Sequence, residues 1–350
     1  MVNQEKRPLI SIIVPVYNGS HYIPELMNCL HSQLGRETEL VFVDDGSRDD
    51  SFEKLQALAA SAEFPVQVLH QENRGVSAAR NLGMARASGA YLTFVDVDDR
   101  VAGDYLANLF RCAREGVDVA VFDSVRVREG DNLRTAQGVT PLQPVTSREM
   151  LTEFLHDPTR FGVCNLLIRR ELLHEHEIRF PEGYAYYEDY DFLLQLFPRT
   201  ERIGRLERVM YYYVLREASA MARFRASRIN CLELMKRREE WLDGTAPEFA
   251  SLFRKWGVAR LYWSVLWQAA LALTSYREFR EFARITQAER YLKKLKGYPD
   301  RLLQISTGVF LLWKPAYYLA VRLAGRLKSK VEPVTLEEIL PELAQKIDFY

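Results

Sequence analysis

Two aspartates one residue apart, Asp96 and Asp98, follow the apolar run Tyr91 to Val95. Carboxylates at i and i+2 beyond a buried strand suit a hard divalent cation that also bridges the oxygens of a diphosphate. An aspartate in such a place can equally be a turn former. Three other polar loops favour the metal reading: Pro15-Val16-Tyr17-Asn18, Asp44-Asp45-Gly46-Ser47, and Asn73-Arg74-Gly75 leading to Arg80 and Asn81. A fixed carboxylate at Asp45 can accept from a ring N–H of a nucleobase. The alternative is that Asp44 or Asp45 organises the turn through Gly46-Ser47.

Further along, Glu188, Asp189 and Asp191 fall within four residues, just ahead of Phe192-Leu193-Leu194. Ionised carboxylates this close repel one another, and a helix N-terminus accommodates one or two of them. A hydroxyl nucleophile must lose a proton as it attacks, so Asp189 is expected to be a general base. Arg216, after Tyr211-Tyr-Tyr-Val-Leu, could neutralise a departing diphosphate. Its alternative is an ordinary surface arginine.

The elements that must position these residues are legible from periodicity. Leu9 to Val16, Glu39 to Val43, Val66 to Leu69 and Tyr91 to Val95 read as buried strands. Helices are expected near Tyr22 to Leu34, after Asp50 with a capping box to Glu53, and from Val76 to Ala87 with Gly89 as stop signal. Strands alternating with helices imply a doubly wound, mostly parallel sheet of α/β class, whose ligands lie beyond the carboxyl ends of the strands. All the loops named above leave that edge. Beyond Asp104 the pattern is looser: Val117 to Val127 reads as one long strand or a pair, Pro141 to Val145 as a linker, and Val209 to Leu215 as a short strand. Helices are expected from roughly Ala226 onward.

The 350 residues carry 47 basic and 47 acidic side chains, so net charge gives nucleic acid no general attraction. Neither G-x-G-x-x-G nor a P-loop occurs, which removes the usual glycine-rich phosphate cradles. The four cysteines are far apart in apolar stretches, as buried thiols in a reducing compartment would be. Met1 to Pro8 lacks the apolar core of a signal peptide, and no run of eighteen apolar residues suggests a spanning helix. A cytoplasmic protein is expected, working at the inner face of the membrane.

The order and spacing of Ser11-Ile-Ile-Val-Pro-Val-Tyr-Asn18, Val43-Asp-Asp-Gly-Ser47, Asn73-Arg-Gly-Val-Ser-Ala-Ala-Arg-Asn81, Phe94-Val-Asp-Val-Asp-Asp99 and Glu188-Asp189 closely resemble family 2 of the bacterial glycosyltransferases. The likeness runs through Phe180-Pro-Glu-Gly183 and the tyrosine-rich strand before Arg216, covering about residues 9 to 220. It implies a GT-A fold and inverting transfer of a sugar, from a nucleotide-sugar donor such as a UDP-sugar to an acceptor hydroxyl, in surface polysaccharide synthesis. Pro15, Tyr17 and Asp45 would line the nucleobase and ribose pocket, with Asn18 in the same loop and Arg80 holding that end of the donor. Asp96 and Asp98 would bind Mn²⁺ or Mg²⁺, and Asp189 would be the base. The chain departs from the pattern at Val97, where a small polar residue is common, and at Asn165, where a lysine is common.

The corresponding domain expectation is a catalytic part over about 1–222, with its donor half at about 8–100, and a helical region over about 223–350. Between Tyr291 and Lys330 stand nine basic residues and one acid, Asp300. Leu319, Leu323 and Leu327 recur at i+4, and Val309 to Trp313 is an apolar run. Residues 306–330 are therefore expected to rest on a membrane, near a glycan or lipid-linked acceptor, or to meet a second copy of the chain. Two competing readings are a sugar nucleotidylyltransferase, which usually has a basic glycine-rich first loop, and an inactive assembly component, against which the retained Asp45, Asp96, Asp98 and Asp189 argue.

Overall fold

The computed structural model describes residues 7–131, 138, 140–157, 160–184, 186–216, 230–295, 297–326 and 333–340. By contacts the chain divides into two compact units. The first takes Met1–Met150, Asp157–Gly183 and Glu188–Arg216; the second takes Leu151–His156, Tyr184–Tyr187 and Glu217–Tyr350.

The first unit is built on one sheet of nine strands: β1 (Ile10–Val16), β2 (Thr38–Asp44), β3 (Val66–His70), β4 (Tyr91–Phe94), β5 (Arg100–Val101), β6 (Val119–Arg128), β7 (Gln143–Val145), β8 (Leu166–Arg169) and β9 (Ile203–Leu215). They lie in the order β3-β2-β1-β4-β8-β6-β9-β5, and β7 also pairs with β9. β1 to β4 run parallel to one another where they pair, and β8 is antiparallel to both β4 and β6. Every residue of β1 and β2 is buried, as their continuous β-branched runs require of strands covered on both faces. The register pairs Val16 with Asp44 and Asp44 with His70, so the loops that follow β1, β2 and β3 leave the sheet level with one another.

Around the sheet lie α1 (Ile23–Leu30), α2 (Ser51–Ser61), α3 (Val76–Arg86), α4 (Tyr105–Arg114), α5 (Ser147–His156, which passes into the second unit), α6 (Arg170–Glu175) and α7 (Glu188–Leu196). Several expectations are corrected. The capping box of α2 is not formed: Asp50 pairs with Lys54 at 3.1 Å, and it is Asp49 that accepts from the Ser51 N–H. Gly89 is no helix cap, because α3 ends in extended backbone at Ala87; a Cβ on Gly89 would stand 2.6 Å from the Ser11 backbone, so the glycine permits a close crossing of β1. Pro141 to Val145 is not a free linker, since its last three residues pair antiparallel with β9 as β7. β9 itself begins at Ile203, six residues before the expected Val209.

The second unit is helical: α8 (Asn230–Thr245), α9 (Pro247–Leu252), α10 (Val258–Ala272), α11 (Tyr276–Ile285), α12 (Ala288–Leu292), α13 (Arg301–Leu312) and α14 (Lys314–Arg326). Its core includes Phe279, Phe282, Phe310 and Tyr317, with the Phe310 and Tyr317 rings 5.3 Å apart. Phe310, within the apolar run expected to rest on a membrane, is fully buried. Leu327, Lys328 and Lys330 lie outside the described residues.

Candidate active site

The site forms at the carboxyl edge of the parallel strands, and Arg80 is its centre. This arginine projects from α3, a helix of small residues (Ser77, Ala78, Ala79, Gly83) that lets the backbone lie close on the sheet. Its guanidinium is almost fully buried. One terminal nitrogen donates to Asp189 Oδ1 at 2.9 Å and stands 3.5 Å from Glu188 Oε1; the other donates to Asp96 Oδ1 at 3.0 Å. The Phe180 ring lies beneath it, 5.3 Å from the guanidinium carbon. Burial disfavours the charged guanidinium, but Asp189 and Asp96 more than offset this and hold it well above its ordinary range. The resemblance assigned Arg80 to the nucleotide end of a donor. The structure places it between the strand-end acid and the expected base, with both terminal nitrogens engaged.

Asp96, Asp98 and Asp99 divide by direction across a tight turn, closed by the Asp99 N–H donating to the Asp96 carbonyl at 3.0 Å. Asp99 turns inward, where Oδ2 accepts from the Tyr211 hydroxyl at 2.7 Å and Oδ1 from the Val214 N–H at 2.8 Å, tying this loop to β9. Asp96 and Asp98 remain partly open to solvent. Arg216 donates to Asp98 Oδ2 at 3.0 Å while lying 4.2 Å above the Tyr22 ring. It is thus engaged by the strand-end acid Asp98 and is not a solvated surface arginine. Burial and then the Asp96 charge raise the Asp98 carboxyl above its ordinary value, with Arg216 opposing. Burial and then Asp96 push Asp99 up to about 8. Val97 between them is buried and packs on Gly19.

Asp189 opens α7. Its carboxyl is raised, burial being the main cause and Arg80 opposing; the Val163 N–H also bonds it. About a third of the side chain stays exposed. Burial, then Asp189, push its neighbour Glu188 up to about 7. Five acids therefore share two arginines, and the edge carries surplus negative charge. Among the described residues, no three His, Cys, Asp or Glu side chains stand together closely enough to hold a metal ion. Asp96 and Asp98 fit a divalent cation in the other common way, in which one or two carboxylates are completed by a substrate's phosphate oxygens and water.

The remaining expected residues lie on neighbouring loops. Pro15 is buried within β1, and Tyr17 is exposed. Asn18 adopts a φ of +50°, donates its N–H to Ser47 Oγ at 2.9 Å and accepts the Arg48 N–H at 2.8 Å, so the loops after β1 and β2 are pinned together. Asp45 is buried; Oδ1 accepts from Gln71 Nε2 at 2.7 Å and the Arg74 N–H at 2.9 Å, and Oδ2 from the Gly75 N–H at 2.8 Å. It organises the loop that leads into α3. Asp44 is tied to His70 at 2.8 Å. Gly46 has a φ of +70°, and a Cβ there would meet the Asn73 N–H at 2.7 Å. Asn81 exchanges two hydrogen bonds with the Phe180 backbone, which brings two distant motifs together. Asn165 bonds Phe122 O and the Gly162 N–H, so it is occupied in the core.

The sequence assigned no role to Glu188, although it was named in the acidic cluster, nor to Tyr22 or Tyr211. Glu188 could have been found, because it belongs to the acidic cluster. Tyr22 carries no such signal, since its role depends on Arg216 crossing nearly 200 residues of chain.

Residues 11–176 match the model of the family described as glycosyl transferase family 2. The chain is 32% identical to the uncharacterized glycosyltransferase EpsJ of Bacillus subtilis over 59% of this chain and 61% of that one, so it spans less than two thirds of that relative. It is 31% identical to an uncharacterized glycosyltransferase of Haemophilus influenzae, over 53% of this chain and 71% of the relative. Among solved structures, S. aureus TarS 1-349 in complex with UDP-GlcNAc matches with a TM-score of 0.61 at 22% identity, covering 91% of this chain and 92% of that one. That likeness establishes the expected GT-A type of fold, with its mixed, mostly parallel sheet and C-terminal helical region.

Proposed function

This chain belongs to glycosyl transferase family 2, and from that footing we propose that it transfers a sugar from a nucleotide-sugar donor, a UDP-sugar, to an acceptor hydroxyl with inversion at the anomeric carbon. The observation that carries the reading is the Arg80 bridge, which fixes the strand-end acid Asp96 and the partly exposed acid Asp189 on one guanidinium. A transferase needs those two functions side by side: acids for the diphosphate end, and a base for the incoming hydroxyl.

In this mechanism Asp189 accepts the acceptor's proton. The freed oxygen forms its bond to the anomeric carbon as the bond from that carbon to the diphosphate oxygen breaks, and the nucleoside diphosphate leaves. The raised carboxyl of Asp189 makes it a stronger base than an ordinary aspartate. Asp96 and Asp98 would hold Mn²⁺ or Mg²⁺, which when bound would supply positive charge to the departing diphosphate. Tyr17, Pro15 and Asn18 form the nucleotide side. Asp45 keeps spare acceptor capacity for a base N–H while holding the loop, because a carboxylate offers about four lone-pair sites. Arg80 acts mainly by holding Asp96 and Asp189 at their spacing, and Arg216 is free to exchange Asp98 for the diphosphate. The catalytic part is residues 1–222, and the acceptor is a growing glycan, lipid-linked at the membrane's inner face.

The relative EpsJ and the solved TarS complex support a sugar transferase over a nucleotidylyltransferase, and the loop after β1 lacks the basic glycines of the latter class. Incubation with a panel of UDP-sugars and Mn²⁺, read as release of UDP, tests the proposal. Slow hydrolysis of one donor is expected; release of pyrophosphate from a sugar phosphate and a nucleoside triphosphate would replace this reading with the nucleotidylyltransferase.

A further inference from the structure

Among the described residues, the large apolar side chains most open to water are concentrated in α13 and α14. Leu302, Ile305, Leu312, Trp313, Leu319 and Leu323 are between 60% and 89% exposed. Both helices are apolar on two sides, whereas a surface helix needs only one apolar stripe. On α13, Leu303, Thr307 and Phe310 are buried at i, i+4 and i+7, while Leu302, Ile305 and Leu312 recur on the opposite side. On α14, Tyr317 and Val321 are buried, while Leu319, Ala320, Leu323 and Ala324 make an outward face without a charge. Leu312 and Trp313 form the corner between the two helices.

Charge selects what covers this surface. From Arg301 to Lys330 the sequence has six Lys or Arg residues and no Asp or Glu. A second copy would set like charge against like, whereas an anionic lipid surface meets opposite charge. Among the described residues no helix is long and apolar enough to cross a bilayer, and an amphipathic hairpin of this length suits lying on one. A tryptophan at the corner suits the headgroup level.

We propose that the hairpin of α13 and α14 docks on an anionic lipid surface through Leu302, Ile305, Leu312, Trp313, Leu319 and Leu323. The docking is independent of the transfer chemistry. Two of the cations are partly engaged: Lys314 lies 3.0 Å from Glu289, and Arg322 donates to the Leu273 carbonyl at 2.6 Å, closing the end of α10. Reversing Arg322 would therefore disturb packing as well as charge. Arg301 is the better probe, since it is exposed in the first turn of α13, where a glutamate suits the helix dipole.

The test is flotation of the full chain with vesicles of phosphatidylglycerol and phosphatidylcholine, and with phosphatidylcholine alone. Binding to the anionic vesicles at low salt is expected, with partial release as salt rises. The quadruple variant Leu312→Ser, Trp313→Ser, Leu319→Ser and Leu323→Ser should lower partitioning about tenfold or more at an unchanged melting temperature. Arg301→Glu should lower it several-fold on anionic vesicles alone. The proposal is overturned if the wild-type chain stays unbound at low salt, or if the quadruple variant floats as well as wild type. Self-association that this variant abolishes, without vesicle binding, would assign the surface to a second copy and likewise overturn it.

Discussion

Asp118 and Asp98 are both aspartates set against arginines in one sheet, at its two opposite edges. Asp118 precedes β6 at the edge away from the site. Its Oδ1 accepts from Arg169 Nε at 3.0 Å and from Arg202 Nη2 at 3.2 Å, and its Oδ2 accepts the Arg202 N–H at 2.9 Å. Burial opposes the charged form there, but these partners outweigh it and hold the carboxyl below its ordinary value. Asp98 has one arginine and two neighbouring acids, and it is raised. The residue types match and the balance is reversed. Where two arginines converge on one aspartate, its carboxylate is satisfied and ties β8 and β9 to β6, although Arg169 also pairs with Glu171 at 3.0 Å. Where acids outnumber arginines, the cluster is short of positive charge, which is what a site awaiting a cation or a cationic transition state should look like.

The comparison can be broken most decisively at the base. Asp189→Asn should reduce transfer by roughly 10²–10⁴-fold while UDP affinity, read by calorimetry, changes little. Turnover equal to wild type would remove Asp189 from the chemistry.

The next largest effect should separate Asp98 from its neighbour. Asp98→Ala should abolish most of the Mn²⁺-dependent gain in UDP affinity with little change in melting temperature. Asp99→Asn should do the reverse, because Asp99 is spent on the Tyr211 hydroxyl and the Val214 N–H. Identical profiles for the two variants would show that direction does not divide these acids.

On the far edge, Asp118→Ala should cost on the order of 2–3 kcal/mol of stability by taking the shared carboxylate from Arg169 and Arg202 and leaving the Arg202 backbone N–H unmatched. UDP affinity of the folded variant should stay at the wild-type value. A stable but inactive variant would mean that the two edges are not separate in role.

The smallest effect concerns pH. The Glu188 carboxyl is raised from 4.5 to about 7, so the folded state binds its proton more tightly than the unfolded chain does. Its contribution is present in full below the unfolded value and is lost as pH rises through about 7. The melting temperature should accordingly fall between those pH values, and Glu188→Gln should flatten that slope. An unchanged slope would show that another group sets it.

The parallel half of the sheet was legible because β1 and β2 are continuous apolar runs, and a strand's polar successor must emerge at its carboxyl end. The list of loops around the site followed directly. The antiparallel half was less so. β7 looked like a linker because Gln143-Pro144-Val145 has no strand pattern of its own and is strand only by pairing with β9. Arg216 was legible as a cation but not as a partner of Asp98 and Tyr22.

What the sequence determined by itself was the order of strands and helices in the parallel half and the acids at strand ends, because local periodicity and turn chemistry act over a few residues. Tertiary structure alone decided which charges meet. Arg80 reaches Asp189 across 109 residues, Asp99 turns to β9 while Asp98 does not, and Phe310 is covered while Leu312, two residues on, is not. Periodicity says which residues share a face of one element; only packing says what lies against that face, and so whether a carboxylate is matched, a cation is spent, or a leucine is left in water.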